Sequence, residues 1–295
     1  MKKKSFIFLL VIIAGNSIFA DELVQNDLMV AESVQQNETL CGKPAQLHEV
    51  SCDDLVAPSV VSEVTCVPRN VGIIPDGNRR WSKEHGLTLL EGYRKASLEV
   101  VPELTEFLWK QGVHTVSMWC FSTENWQRSG DEVASVMTVI KEGIELALLP
   151  LARRMNARII HLGRKDRIPE FLKATIKAAE AETQKNEAHA FNLCVDYSGQ
   201  DEICRMVKKL IESGVDADDV TIERCANALD TATQPYPLAD IVVRSSGEQR
   251  LSGFMPLQTA SSELYFISKL FPDCTTQDMQ DMLSSFAQRD RRFGK

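Results

Sequence analysis

The segment Pro75-Asp76-Gly77-Asn78-Arg79-Arg80-Trp81 places a carboxylate, an amide and two guanidinium groups around one turn. Asp-Gly-Asn is ordinary turn chemistry, and a plain turn accounts for those three residues taken alone. Here, however, the turn follows an apolar run and leads straight into arginines and a helical pattern. Backbone N–H groups at a helix start, flanked by guanidinium, suit a diphosphate. A carboxylate beside that site suits Mg2+, which takes oxygen ligands and substrate phosphates. A second cluster, Phe121-Ser122-Thr123-Glu124-Asn125-Trp126-Gln127-Arg128, also follows an apolar run. Its hydroxyls read equally as an N-cap pair and Trp126 as core, but Arg128 beside them favours an anionic ligand. The third, Arg244-Ser245-Ser246-Gly247-Glu248-Gln249-Arg250-Leu251-Ser252-Gly253-Phe254, carries two arginines, several hydroxyls and two glycines on one loop. That composition makes an anion trap, against which stands the plain reading of a solvated loop.

The apolar runs that must position these clusters are short and rich in Val, Ile and Phe. Val71–Ile74, Thr115–Met118, Ala157–Leu162, Phe191–Val195, Asp240–Val243 and Leu264–Ile267 read as buried strands. Longer helical patterns such as Asp131–Met155 and Ile168–Lys185 separate them. This alternation predicts an α/β fold: a single domain with a mostly parallel central sheet covered by helices. In open sheets of this kind ligands gather at the carboxyl ends of the strands. All three clusters follow strands, so independent plain readings become much less economical.

The 295 residues carry 33 Lys+Arg against 41 Asp+Glu, a net charge of −8. That acidic balance argues against a broad nucleic-acid footprint but leaves room for a local basic pocket. Residues 1–20, MKKKSFIFLLVIIAGNSIFA, have the basic start, apolar run and small-residue end of a signal peptide. The apolar run falls short of the ~20 residues of a membrane-spanning helix, so a retained anchor is the weaker reading. Residues 21–68 are polar and aperiodic, the composition of a flexible linker, and the globular domain occupies 69–295. Cys41, Cys52 and Cys66 lie in the polar leader and could pair only in an oxidising compartment. Cys120, Cys194, Cys204, Cys225 and Cys274 lie in the globular part, where a cysteine is most often a small buried apolar group.

Taken together, the three clusters resemble the cis-prenyltransferase family of undecaprenyl diphosphate synthase-like enzymes. Asp196-Tyr197-Ser198-Gly199, Ser262-Glu263-Leu264-Tyr265-Phe266 and the ending Arg289-Asp290-Arg291-Arg292-Phe293-Gly294 extend the resemblance over residues 69–295. The resemblance implies Mg2+-dependent condensation of isopentenyl diphosphate with an allylic diphosphate such as farnesyl or geranyl diphosphate, forming cis double bonds. It implies that Asp76 works with the metal and the leaving diphosphate, with Glu263 as a second metal-linked carboxylate. By the same match Gly77, Asn78, Arg79, Arg80 and Trp81 cradle the allylic diphosphate. Ser122, Thr123 and Glu124 contact substrate, and Asn125 serves proton removal with Trp126 and Arg128 beside it. Arg244, Arg250, Leu251 and Ser252 fall on the isopentenyl diphosphate pocket. The family also implies a homodimer, and association with a membrane through the product or the leader. Val136, Met137, Ile140, Ile144 and Leu148 are candidates for an apolar tunnel, and plain core by spacing alone.

The chain departs from the family pattern at several places. Pro75 replaces a Met, Leu89 an Arg, Tyr93 a His, Ala96 a Gly and Pro256 a Trp. Leu89 and Tyr93 fall on the allylic-diphosphate side and bear on substrate choice. Two rival readings of the same fold are a non-catalytic partner subunit and a lipid-diphosphate-binding module, yet Asp76, Asn125, Arg244, Arg250 and Glu263 are all present. The leader points to export or membrane targeting, whereas the substrates point to the cytoplasm or its membrane face. N-terminal sequencing of protein from cell fractions checks this: we expect a start after Ala20 or a membrane-bound Met1. An intact Met1 in the soluble fraction would exclude both.

Overall fold

Residues 66–291 are described by a computed structural model. The 1–20 leader, residues 21–65 of the linker, Cys41, Cys52 and Arg292–Gly294 lie outside the described residues. Six strands appear where the apolar runs predict them: β1 (Asn70–Ile74), β2 (Thr115–Ser122), β3 (Ala157–Leu162), β4 (His189–Tyr197), β5 (Ile241–Arg244) and β6 (Glu263–Phe266). All neighbouring pairs run parallel, in the order β3-β4-β2-β1-β5-β6. Parallel neighbours need crossovers, and the intervening segments supply them.

The helices are α1 (Asn78–Glu84), α2 (Leu89–Arg94), α3 (Val101–Lys110), α4 (Gly130–Gly143), α5 (Leu149–Met155), α6 (Glu170–Thr183), α7 (Gly199–Glu212), α8 (Ile222–Asn227) and α9 (Thr276–Ala287). Thr88 starts α2 with a reciprocal cap to Glu91, and Thr275 starts α9 in the same way with Asp278. The predicted helix Asp131–Met155 is not uniform. A π-helical stretch, Ile144–Leu148, joins α4 to α5, and a second, Lys95–Val100, joins α2 to α3. The two stretches approach closely: a Cβ on Gly143 would lie 2.0 Å from Ser97 Oγ.

Alternation along the strands divides the core. Val71, Ile73, Val116, Met118, Leu193 and Val243 belong to the larger cluster, under α3, α4, α5, α6 and α9. Ile74, Val242, Cys194 and Tyr197 belong to a smaller cluster on the other face, closed by Phe254 and Met255. Tyr197 ties α7 to this face by donating its hydroxyl to Glu202 at 2.5 Å. Cys194 and Cys274 are buried as expected, but Cys204 is exposed. It lies on α7, whose inner face is already taken by Glu202 and Met206. Among the described residues no helix is long and apolar enough to cross a membrane.

β1 lies between β2 and β5, where the order of strands reverses direction. The three polar clusters therefore emerge from three adjacent strands, at the crevice where this architecture binds ligands. The neighbouring strand ends are locked by close backbone approach. Gly163, just after β3, has φ +117°, and a Cβ there would lie 2.4 Å from the Val195 carbonyl and 2.8 Å from that of Asp196. Neither backbone atom can yield cheaply. We expect Gly163→Ala to cost about 2–4 kcal/mol, read as a drop in Tm on the order of 10 °C by calorimetry.

Candidate active site

Arg244 ends β5 with its side chain buried, and its guanidinium organises the site. Nη2 donates to Asp76 Oδ2 at 2.8 Å, while Nη1 donates to the Arg250 carbonyl at 2.6 Å and to Ser252 Oγ at 2.8 Å. Nε is buried without a partner among the described residues. One side chain thus joins the loop after β1 to both ends of the loop after β5. The latter is held against its backbone preference, since Ser246 and Ser252 have φ of 77° and 52°. Non-glycine residues in that region cost roughly 1–2 kcal/mol each.

The turn after β1 is bound on all sides. Asp76 N–H donates to Ser245 Oγ at 2.9 Å, and that hydroxyl donates back to the Asp76 carbonyl at 2.7 Å. Phe271 N–H also donates to the Asp76 carbonyl, at 3.0 Å. Gly77 permits the turn with φ 102°, and a Cβ there would meet Leu270 Cδ2 at 2.8 Å. Burial pushes the Asp76 carboxyl up, but the Arg244 hydrogen bond and charge and the Gly77 amide outweigh it, so its pKa falls below the usual carboxylate value. Arg80 lies 3.8 Å away and adds charge of the same helpful sign. Asn78 donates Nδ2 to the Pro75 carbonyl at 2.9 Å, leaving Oδ1 buried and without a partner among the described residues.

After β2, Ser122 and Asn125 cap the 3-10 turn Thr123–Gln127 reciprocally. Asn125 Oδ1 accepts from Ser122 N–H at 3.0 Å, so the amide nitrogen is the end left for a ligand. Trp126 anchors this turn to β4 by donating Nε1 to Asp196 Oδ1 at 2.8 Å. Asp196 is fully buried and balanced by the Arg167 guanidinium. On the opposite side, Glu132 gathers three groups at one oxygen: the Tyr93 hydroxyl at 3.1 Å, Arg128 at 3.1 Å and Arg79 at 3.7 Å. Burial pushes the Tyr93 phenol up, Arg128 pulls it down and Glu132 raises it again, to about 12. It is a neutral hydrogen-bonding group at physiological pH.

These parts surround one cavity of ≈ 540 Å³. Of the residues singled out in the sequence, it is lined by Asp76, Gly77, Asn78, Arg79 and Arg80 from the first loop and by Ser122, Asn125 and Arg128 from the second. Tyr93, Arg244 and Ser252 complete the polar rim. Its apolar depth includes Val136 and Ile140, and a smaller cavity of ≈ 40 Å³ lies beyond, bounded by Ile140, Ile144 and Leu148. Met137 is core, with no exposed surface.

Other expected site residues lie elsewhere. Trp81 is buried behind α1, its indole donating to Asp273 Oδ1 at 2.7 Å and stacked on His85, so it braces the loop rather than lining the cavity. Leu89 starts α2 outside the lining. Thr123 turns its hydroxyl to Glu124 at 2.9 Å, and Glu124 is exposed. Trp126 serves the brace already described. Arg250 is exposed and paired with Glu248, and Leu251 packs on the smaller cluster. Glu263 opens β6, in register with Ile241 and hence level with Val71, at the opposite end of the strands from Asp76. Its carboxylate is paired with Arg289. A single chain does not bring Glu263 to Asp76, and among the described residues no cluster of three metal-ligating side chains forms.

Sequence reasoning missed Glu132, Phe271 and the pair Trp119 and Cys120 as site residues. Glu132 is one helical turn from Arg128, a spacing that could have flagged it. Phe271 comes from a loop distant in sequence and gave no signal.

Residues 74–294 match the family model for undecaprenyl diphosphate synthases. The chain is 36% identical over 235 residues to dehydrodolichyl diphosphate synthase 3 of Arabidopsis thaliana, covering 77% of this chain and 76% of that one. It is 34% identical over 229 residues to an isoprenyl transferase of Aquifex pyrophilus, covering 78% and 96%. A crystal structure of lavandulyl diphosphate synthase from Lavandula x intermedia, with dimethylallyl diphosphate, superposes with a TM-score of 0.75 at 32% identity, covering 79% of this chain and all of that one. With its sheet order, its strand-end cavity and these likenesses, the chain belongs to the cis-prenyltransferase family.

Proposed function

We propose that the protein joins isopentenyl diphosphate to an allylic diphosphate to form a cis-prenyl diphosphate, with Mg2+ assisting departure of the allylic diphosphate. The observation that carries this reading is the cavity itself, whose rim holds guanidinium groups and amides while its depth is apolar. Such a site takes a molecule with a diphosphate head and a hydrocarbon tail. The donor set fits the metal: the Asp76 carboxylate and the unpartnered Asn78 Oδ1 are hard oxygen ligands beside the place for phosphate oxygens. Bound there, Mg2+ would neutralise charge on the leaving diphosphate.

The chain's own groups do the rest. Arg79, Arg80 and Arg128 hold the allylic diphosphate, and guanidinium favours the separated diphosphate more than the ester because charge grows as the bond breaks. Arg244 and Ser252, which line the cavity, hold isopentenyl diphosphate, and Arg250, exposed on the same loop, exchanges Glu248 for the diphosphate when the substrate binds. Asn125 cannot act through its carbonyl, which is committed to Ser122. Its Nδ2–H instead orients the diphosphate oxygen that takes the proton lost from isopentenyl. Tyr93 and Glu132 keep Arg128 extended along the cavity wall. The apolar depth excludes water from the reactive carbon. A homodimer is part of the same proposal, supported by exposed apolar side chains such as Ile211 at 70% and Ile222 at 79%.

Incubating the full chain with Mg2+, farnesyl or geranyl diphosphate and labelled isopentenyl diphosphate tests the reading. Elongated product by mass spectrometry is expected, and binding without elongation would overturn it in favour of a binding module. In that assay Arg250→Ala is expected to raise KM for isopentenyl diphosphate about tenfold and that for the primer far less. Equal losses would contradict the pocket assignment.

Asp76 should matter twice. Asp76→Ala is expected to lower turnover at least tenfold, or ~1.4 kcal/mol of barrier. It also strips a buried guanidinium of its carboxylate, so a stability loss of about 1–3 kcal/mol accompanies it, visible in urea melts. The lowered Asp76 pKa means its contribution is present above the unfolded value of ~3.9 and is lost as pH falls through the folded value. Asp76→Asn should therefore flatten part of the acid dependence of stability below about pH 4.

A further inference from the structure

Strand β2 stays in register with β4 as far as Trp119, then slips between Trp119 and Phe121 and again between Phe121 and Ser122. In a regular strand successive side chains leave by opposite faces. Met118 and Cys120 pack with the helical wall and Trp119 with the cluster on the other face, so alternation holds to Cys120, and Phe121 then joins Cys120 on the helical side where the register slips. Met118, Trp119 and Cys120 all border the cavity, which places Trp119 on the wall opposite the helices.

The indole of Trp119 is held on two sides. Its ring N–H donates to the Tyr197 carbonyl at 3.0 Å, and the Phe254 ring stacks on it at 5.2 Å and 25°. Phe254 stands two residues beyond Ser252, on the loop assigned to isopentenyl diphosphate. The part of the indole left over meets the cavity that Arg244 and Ser252 also line. An aromatic ring fixed this firmly in a reacting cavity has no role in the mechanism so far.

We propose that Trp119 is a further catalytic residue: its indole face is the wall against which the isopentenyl carbons lie, and it stabilises the positive charge that develops on them. The inference rests on the prenyl-transfer reading above. As the allylic C1–O bond breaks, its electron pair leaves with the diphosphate. The C3=C4 pair of isopentenyl diphosphate forms the new bond from C4 to the allylic C1, and positive charge develops at C3. Loss of the C2 proton to a diphosphate oxygen returns its pair as the C2=C3 double bond. The negative face of an indole attracts cationic carbon, Trp more strongly than Phe, and most where water is excluded. The uncharged isopentenyl double bond of the ground state gains little from that attraction, so it acts on kcat rather than on KM.

Trp119→Phe and Trp119→Leu test this together, because both lose the hydrogen bond to Tyr197 and only Phe keeps a π face. With melting temperatures as the check on folding, Trp119→Phe is expected to keep a third or more of wild-type kcat. Trp119→Leu is expected to fall tenfold or more, with KM for the primer unchanged. Equal losses in the two variants, an unaffected Leu variant, or a loss confined to primer KM would each overturn the proposal. A second arm needs no turnover: isopentenyl diphosphate should quench tryptophan emission in the wild type and not in Trp119→Leu. A quench that survives in Trp119→Leu overturns the wall. If the wild type binds with this quench but never elongates, the prenyl-transfer reading fails while the wall at Trp119 stands.

Discussion

The Arg244–Asp76 pair holds together two loops that otherwise have no reason to meet. Arg244 is nearly buried and therefore expensive to desolvate; it is tolerable because a carboxylate, a carbonyl and a hydroxyl receive it. Those acceptors belong to residues 76, 250 and 252, so the charge that must be satisfied also fixes the shape of the site. The left-handed backbone at Ser252 persists because its hydroxyl is one of the three acceptors. The pair is also incomplete by design of its geometry: Arg244 Nε is left over, and the Asp76 carboxylate stays on the cavity wall. Each partner neutralises the other at the cavity wall.

A second layer of braces supports that pair from behind. Trp81 fixes Asp273, and the loop containing Asp273 sends Phe271 N–H to the Asp76 carbonyl. The same loop receives Ser246 N–H at the Lys269 carbonyl. Asp196 does for Asn125 what Asp273 does for Asp76, through the indole of Trp126. In both cases an indole N–H, a directional donor on a rigid ring, meets a carboxylate from a distant segment. This arrangement explains why two tryptophans beside the site do not enter it.

How far the sequence discloses this site follows from the range of the forces involved. Turn chemistry and strand composition are local, so the three loops and all six strands are legible from residue order. Adjacency of β2, β1 and β5 is not local, and it alone converts three separate anion traps into one cavity. Strand β2 reads as ending at Met118, whereas pairing with β4 carries it on to Ser122 through register slips after Trp119, and it is this extension that brings Trp119, Cys120 and Ser122 to the cavity. Glu263 shows the converse limit. Its place beside β5 is settled by register, which residue order leaves open, and register puts it at the far end of the strands with Arg289. Trp81 and Leu89 share a helical neighbourhood with true lining residues, but the helix face decides, and Trp81 turns inward to Asp273.

The cavity's two walls divide the chemical problem. Leaving-group departure needs positive charge near oxygen, and the rim supplies guanidinium groups from three loops. Carbon–carbon bond formation needs the opposite, a low-polarity surface that tolerates transient cationic carbon without supplying a nucleophile. Cys120, on the helical wall, would be hazardous as a thiolate, yet burial pushes its thiol up to about 12 and keeps it protonated. Tyr93 is held neutral at about 12 for a related reason, burial, with Glu132 reinforcing it. Where a histidine would titrate near neutrality, the phenol stays uncharged and keeps Arg128 and Glu132 in fixed relation across the working pH range. That side of the rim thus sets three guanidinium groups, Arg79, Arg80 and Arg128, around a neutral phenol.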